Sequence, residues 1–363
     1  MLPCLVSLGG TDGAPHSLDA GHVAGRPLRM ILLLSPSYAD VTTDAVVDWL
    51  DHLGADWVRL HGEDVDGGAG LRLELDGRGA TLRVSRDGAE IEPGKVRAVW
   101  FRGWLREWRH EGRRLVADPT PCGERLQYDI RLHLTREGRK LSDFLHSCFD
   151  AGWLGSPRTA SPNKPQVLRH AARAGLAIPA TLITTERAAV VEFAARHGAI
   201  VSKPVAETIL LTGGGATHAL YTSVVPPDLI ARLPERFPPT LFQELLAKRY
   251  ELRVFYLDGE SHAMAIFSQR DPRTAVDFRR YNHERPNRCV PYLLPAETGR
   301  RIRELMDALE LDTGSLDLVR TIDGREVFLE VNPVGQFGMV SYPCNYQLER
   351  RVAERLIWRA NCQ

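Results

Sequence analysis

The pattern of hydrophobic and polar positions predicts a small α/β unit in the first third of the chain. Residues 30–34 form an apolar run of strand length, and residues 44–50 carry apolar side chains at helical spacing. Residues 71–84 alternate on either side of an Asp-Gly turn, which predicts a hairpin. Residues 99–102, Val-Trp-Phe-Arg, predict a short buried strand that closes this unit. We therefore expect a small α/β domain over residues 29–118, after a flexible extension at residues 1–28.

The rest of the chain alternates between predicted helices and strands. Residues 119–160 have mixed charge and a mainly helical pattern, which predicts a helical connector. Asn163 is a suitable N-cap for the next helix. Two later pairs of strands surround the Asp-Gly turns at residues 258–259 and 323–324, so each pair predicts a hairpin. Antiparallel hairpins together with packed helices indicate the α+β class.

The second of these hairpins carries the clearest chemical signal. With a two-residue loop, Asp317 lies directly across from Glu330, and Asn332 shares the face of Glu330. Two unpaired carboxylates about 5 Å apart repel each other and weaken the strand pairing. A divalent cation resolves the repulsion, and oxygen ligands suit Mg²⁺. The alternative is a solvated face, or acids that pair with Arg320 or Arg325.

Composition narrows the classes of function. Lys and Arg together number 46, as do Asp and Glu, so the formal charge of zero argues against a non-specific nucleic-acid binder. No run approaches the roughly 20 apolar residues of a membrane-spanning helix. The first 28 residues lack the basic start and apolar core of a secretory signal. We expect a cytoplasmic protein that binds neither nucleic acid nor membrane.

Several other residues are candidates for phosphate binding, although each has an ordinary structural explanation. Lys164 opens a predicted helix, where a phosphate also meets the helix dipole, and Lys203 ends a predicted strand. Either lysine alone is more often a surface residue. The glycines at residues 213–215 offer backbone N–H groups but are equally a flexible loop. Arg253 shares a strand face with Glu251, so it either stabilises a transferring phosphoryl group or forms a surface ion pair.

The order of these parts resembles the ATP-grasp superfamily: a lysine, a second lysine, a Gln-Glu hinge, a Glu-x-Arg hairpin, an Asp and a Glu-x-Asn. The stretch FLEVNPVGQFGMVS at residues 328–341, followed by PCNY at residues 343–346, is similar to the grasp-with-spasm maturases, relatives of the microviridin and other graspetide ligases. The resemblance covers residues 29–360. It implies an ATP-grasp fold in which two α/β lobes, residues 161–240 and 241–363, clasp ATP behind the small N-terminal α/β domain.

The resemblance also implies a role for each matching residue. The residues implied to bind ATP are Lys164, Lys203, Gln243, Glu244, Leu245, Leu246 and Glu251, of which Glu244 to Leu246 match the adenine hinge and Glu251 the ribose-binding acid. The residues implied to hold Mg²⁺ are Asp317, Glu330 and Asn332. Arg253 matches a phosphate-side arginine, while Asp277 and Arg279 fall in the stretch expected to meet the acceptor or the peptide carboxylate.

The implied activity is peptide maturation with ATP and Mg²⁺, which makes the helical connector at residues 119–160 a candidate peptide-binding region. An Asp or Glu side chain of a ribosomally made precursor, with leader and core segments, is phosphorylated and then attacked by a Ser or Thr hydroxyl or a Lys amine. Two alternatives stay open: an ATP-grasp ligase for free amino acids or peptide tails, and an ATP-binding regulatory module without ligase activity. The sequence leaves the precursor, ester or amide linkage, ring number and a homodimer open.

Overall fold

A computed structural model describes much of the chain: residues 20–21, 29–36, 40–62, 70–77, 79–86, 89–104, 120–206, 210–213, 216–219, 222–271, 274, 276–278, 282 and 284–362. The helices of this part are α1 Val41–His52, α2 Pro121–Ser147, α3 Lys164–Arg173, α4 Arg187–His197, α5 Pro227–Arg232, α6 Ala296–Ala308, α7 Gly338–Cys344 and α8 Leu348–Cys362. The strands are β1 Ala20–Gly21, β2 Met30–Ser35, β3 Trp57–His61, β4 Gly70–Asp76, β5 Gly79–Arg86, β6 Ala89–Ile91, β7 Val96–Phe101, β8 Gly152–Leu154, β9 Thr181–Glu186, β10 Ile200–Lys203, β11 Leu210–Gly213, β12 Ala216–Ala219, β13 Ser223–Val225, β14 Arg236–Glu244, β15 Lys248–Leu257, β16 Glu260–Phe267, β17 Arg288–Tyr292, β18 Thr313–Thr321 and β19 Glu326–Asn332.

The chain divides into two compact units. The first unit comprises Met1–Val41, Val47–Trp153 and Glu354–Gln363, and the second comprises Thr42–Val46 and Leu154–Ala353. The five segments that we predicted from sequence stay predictions. In the described residues, no helix combines the length and apolar character needed to cross a membrane.

The first unit is built on a sheet with strand order β1-β3-β2-β7-β8, in which β2 pairs parallel with both β3 and β7. The β2 side chains Ile31 to Leu34 are almost entirely buried. A strand inside a parallel sheet is covered on both faces, which explains why residues 30–34 form a continuous apolar run rather than an alternating one. The predicted hairpin at residues 71–84 is β4 and β5.

The second unit contains a four-stranded antiparallel sheet, here called the smaller sheet, and a five-stranded one, the larger sheet. The smaller sheet has the order β13-β10-β14-β9, and α4 packs against it through Val190 and Phe193. The larger has the order β17-β16-β15-β18-β19. Apolar side chains of α3 and α6, among them Leu168 and Leu305, share one buried core with this sheet. The mixture of helices with antiparallel sheets confirms the predicted α+β class.

The hairpin of β18 and β19 reaches the predicted pairing by a route that we did not predict. Asp317 does lie opposite Glu330, but Leu318 lies opposite Phe328, so Leu329 is an extra residue in β19. The loop is therefore longer than the two residues that we assumed, and a β-bulge at Leu329 restores the register at the acidic pair. The assumption about the loop was wrong, whereas the pairing of the two acids was right.

Candidate functional site

A cavity in the second unit lies between the smaller and the larger sheet. Its empty space is about 920 Å³, counting the part that is open to solvent. Ten of the thirteen residues that the resemblance assigned to a site line it, so they converge on one place. These ten are Lys164, Lys203, Gln243, Glu244, Leu245, Leu246, Glu251, Asp277, Asp317 and Glu330.

The two lysines reach the cavity from different elements. Lys164 is the first residue of α3, where the Asn163 side chain accepts a hydrogen bond from the Gln166 N–H at 3.1 Å. The Lys164 ammonium donates to the carbonyl oxygen of Pro204 at 3.4 Å. Lys203 ends β10, directly before that proline, so the chain brings two cations to one wall. This arrangement suits an anionic ligand such as a phosphate chain.

The hinge residues lie at the end of β14, where the polar side chains bond to neighbouring residues of the protein. The Gln243 amide donates to the Thr181 hydroxyl at 3.0 Å, and Glu244 accepts from the Ala180 N–H at 2.9 Å. Both side chains are therefore engaged within the smaller sheet. A base in the cavity would meet chiefly the backbone of the hinge and the apolar side chains of Leu245 and Leu246.

Glu251 is buried at the floor of the cavity, with one carboxylate oxygen engaged. Its Oε1 accepts hydrogen bonds from the Lys248 ammonium at 2.6 Å and from the Ser268 hydroxyl at 2.9 Å. Among the described residues, none donates to Oε2. Burial raises the pKa of Glu251, and the nearby Lys248 ammonium opposes that rise. We had not predicted Lys248 or Ser268, because neither belongs to a recognisable pattern.

Three charged residues form a row across the larger sheet, from Arg253 on β15 through Asp317 on β18 to Glu330 on β19. Arg253 Nη1 bonds both Asp317 carboxylate oxygens, at 2.7 and 2.8 Å. Glu330 has the Lys164 ammonium at 3.8 Å. The two acids therefore already have protein cations beside them, which offset part of the repulsion from which we inferred a metal, and the metal assignment stays a prediction. The arginine concerned is Arg253, whereas Arg320 and Arg325 pair with Glu326 and Asp323.

Asn332 and Arg253 do not line the cavity. Asn332 is exposed, and its Oδ1 accepts a hydrogen bond from the Val334 N–H at 3.1 Å. Gly335 then passes close to Ser315, because a Cβ at residue 335 would lie 2.7 Å from the Ser315 Cβ. This close approach explains why the motif after Asn332 needs glycine at that position.

The last group of predicted residues is only partly described. Asp277 is buried and lines the cavity together with Val276 and Phe278. Arg279 lies outside the described residues. In the predicted glycine loop, Gly213 ends β11, while residues 214 and 215 also lie outside the described part.

The donor set at the row of acids fits Mg²⁺. The described residues contain no group of three or more His, Cys, Asp or Glu side chains that could hold a metal ion. Two adjacent carboxylates on a cavity wall, with an amide two residues along the same strand, supply hard oxygen donors only. Mg²⁺ accepts such an incomplete protein set, because it takes its other ligands from water and substrate phosphates.

Comparisons with known proteins identify the fold. No protein-family model matches the chain, and no curated protein matches it in sequence. A RiPP-associated ATP-grasp ligase of Chryseobacterium gregarium, solved with ADP and a leader and core peptide, matches with a TM-score of 0.78 at 22% identity, over 90% of this chain and 96% of that one. The macrocyclase MdnB of Microcystis aeruginosa matches with a TM-score of 0.67 at 25% identity, over 90% and 99%.

The ATP-grasp ligase PsnB, solved with a phosphomimetic variant of a minimal precursor, Mg and ADP, matches with a TM-score of 0.69 at 22% identity, over 92% of this chain and 99% of that one. The similarity thus extends over nearly the whole length of each of these ligases. The fold prediction is confirmed: the chain has the ATP-grasp fold of these ligases.

Proposed function

We propose that this protein is an ATP-dependent ligase that crosslinks a ribosomally made precursor peptide. It would activate Asp or Glu side chains and join them to Ser or Thr hydroxyls or Lys amines, forming ω-esters or ω-amides. One observation carries the proposal: a single cavity gathers both lysines, the hinge, a buried glutamate and the acidic pair. The fold shared with peptide-bound ligases supports a peptide as the substrate.

The residues of the cavity divide into those for the base and sugar and those for the phosphates. The hinge backbone would meet adenine, and Glu251 Oε2 would accept a ribose hydroxyl proton. Lys164 and Lys203 would hold the phosphates, and Asp317, Glu330 and Asn332 would hold Mg²⁺. Bound Mg²⁺ would neutralise phosphate charge that grows as the phosphoryl group is transferred.

The proposed chemistry has two steps. A carboxylate oxygen of the peptide forms a bond to the terminal phosphorus of ATP, and ADP leaves. A hydroxyl or amine of the same peptide then attacks the acyl carbon, phosphate leaves with the bonding pair, and the attacking group loses its proton. Because both partners belong to one peptide, binding the leader segment makes the second step intramolecular. The segment containing Asp277 would face the peptide carboxylate.

Coexpression with a candidate precursor tests the proposal. The candidate is a short peptide that is rich in Asp or Glu and in Ser, Thr or Lys, and is encoded beside the gene. Intact-mass analysis should show the loss of one water for each crosslink, and Glu330→Gln should abolish it. ATP binding without ADP release in the presence of such peptides would favour the regulatory alternative. Ligation of a free amino acid would favour the other ligase class. A homodimer and a cytoplasmic location stay predictions.

A further inference from the structure

We propose that Lys248 is a positioning residue that fixes two parts of the cavity at once: the part that would hold the nucleotide and the part that would face the peptide. Its single ammonium group connects the carboxylate of Glu251 to the backbone of the loop that carries Asp277. The inference rests on the proposed function for the identity of the two ligands. The connection itself is a property of the protein alone and is testable without a peptide.

The Lys248 ammonium makes two short contacts in a protected place. It lies 2.6 Å from Glu251 Oε1 and donates to the carbonyl oxygen of Val276 at 3.0 Å. The side chains of Lys248 and Glu251 are both only 9% exposed. Solvent therefore screens this pair little, and removing one partner costs more than it does in a surface ion pair.

An irregularity in β15 makes the contact with Glu251 feasible. Side chains three residues apart on a regular strand point to opposite faces. Lys248 pairs with Thr321 while Tyr250 pairs with Arg320, so Arg249 is an extra residue that shifts the register. A bulge of this kind redirects the side chains that precede it. Lys248 thereby reaches the face that carries Glu251, which strict alternation would not predict.

On the nucleotide side, Lys248 fixes the orientation of the Glu251 carboxylate. Lys248 and Ser268 both bond Oε1, which restricts rotation of the group. The other oxygen, Oε2, accepts no hydrogen bond from the described residues, and Glu251 lines the cavity. A ligand hydroxyl would therefore find one acceptor already oriented, with less side-chain entropy to lose on binding.

On the peptide side, Lys248 fixes Val276, which lies between β16 and β17 in the chain. Val276 supplies the carbonyl, and the next two residues, Asp277 and Phe278, are buried and line the cavity. Thr274, two residues before Val276, is held by a separate contact, because its hydroxyl donates to the Ser268 carbonyl oxygen at 2.7 Å. The Lys248 ammonium adds an anchor close to Asp277 itself.

Two variants separate the two sides. Lys248→Met removes both contacts while retaining a long unbranched side chain. Ser268→Ala removes a hydroxyl bond to Glu251 and leaves the contact between Lys248 and Val276 in place. Lys248→Gln keeps a hydrogen-bond donor on a shorter, uncharged side chain. It serves as the milder variant if Lys248→Met does not fold.

The experiment measures ADP affinity and the hydrogen exchange of residues 271–287 in the protein without peptide. For Lys248→Met we expect ADP affinity to fall about tenfold and the loop amides to exchange about tenfold faster, as for loss of a hydrogen bond to a charged group. For Ser268→Ala we expect about a threefold loss of ADP affinity and unchanged loop exchange. Lys248→Gln should lie between wild type and Lys248→Met in both measurements.

Wild-type loop exchange in Lys248→Met, or a change in only one of the two measurements, would overturn the inference. Equal loop exchange in Lys248→Met and Ser268→Ala would also overturn it, because Lys248 would then have no separate effect on the loop. Failure of the proposed function has a different signature: the wild-type protein would leave every precursor peptide uncrosslinked, while the two variants still differed in loop exchange.

Discussion

Replacing the two acids of the proposed metal site should have equal effects on activity and unequal effects on stability. Asp317→Asn and Glu330→Gln each remove one negative charge and one anionic oxygen ligand at nearly constant volume. If both acids hold Mg²⁺ below the phosphates, either change should abolish turnover. Their neighbours in the protein differ, however, and this difference predicts the stability of each variant.

The magnitudes follow from the two ion pairs. Arg253 Nη1 bonds both oxygens of Asp317, with side chains that are 11% and 16% exposed, and Arg253 Nε is buried without a hydrogen-bond partner in the described structure. Asp317→Asn should therefore cost about 2–3 kcal/mol, since the guanidinium loses its carboxylate. Glu330 lies 3.8 Å from Lys164, and its side chain is 28% exposed. Glu330→Gln should cost less than about 1 kcal/mol.

Urea unfolding of the two variants and the wild type gives the stabilities. ADP release in the presence of a precursor that the wild type crosslinks gives the activities. Equal destabilisation would refute the unequal charge pairing. Retained crosslinking in either variant would refute the assignment of that acid as a metal ligand. A double variant with Arg253→Met and Asp317→Asn is the matched control, because it removes the guanidinium that Asp317→Asn leaves without a carboxylate.

Two further predictions concern packing and pH. Gly335→Ala should cost about 1–3 kcal/mol of folding stability, because the new Cβ would lie 2.7 Å from the Ser315 Cβ and 2.9 Å from its Oγ. Urea unfolding should show that adding Ser315→Gly recovers stability. The control Gly94→Ala should have almost no effect, since a Cβ there meets no heavy atom within 4 Å. His146 is buried with both ring nitrogens lacking hydrogen-bond partners in the described structure, and burial lowers its pKa from 6.5 to about 4. The stability that depends on neutral His146 is therefore complete above pH 6.5, and up to about 3 kcal/mol of it is lost as pH falls towards 4. In urea unfolding, His146→Phe should lose less stability than the wild type over that pH range. An unchanged loss would exclude His146 as its source.

The sequence predicted the strands and helices that have a clear period. The strand at residues 30–34, the Asn163 cap and all three Asp-Gly hairpins are present, because local chemistry determines each of them. Helix α7 was not predicted, since it contains Pro343, a residue that normally breaks a helix. Its start lies beside Phe337, which packs on Phe255 with ring centroids 4.3 Å apart, a tertiary contact that no local pattern reveals.

The candidate site was predictable where it depends on motifs or on a single hairpin, and unpredictable where it depends on a bulge or on strands far apart in sequence. Order along the chain pointed to the lysines and the hinge, and the pairing of one hairpin pointed to the acidic pair. Lys248 escaped notice because strict alternation places it on the face opposite Glu251, and the bulge at Arg249 reverses that. The Arg253–Asp317 pair escaped notice because a pairing between β15 and β18 joins residues 64 positions apart.

The dependence of ADP affinity on Mg²⁺ tests the proposed metal site most directly, since it needs no knowledge of the precursor. Calorimetric titration would compare wild type and Glu330→Gln, each in Mg²⁺ and in excess chelator. We expect wild type to bind ADP at least about tenfold more tightly with Mg²⁺ than without it, and Glu330→Gln to lose most of that difference. Equal ADP affinity of the wild type in Mg²⁺ and in chelator would contradict a metal at the acidic pair.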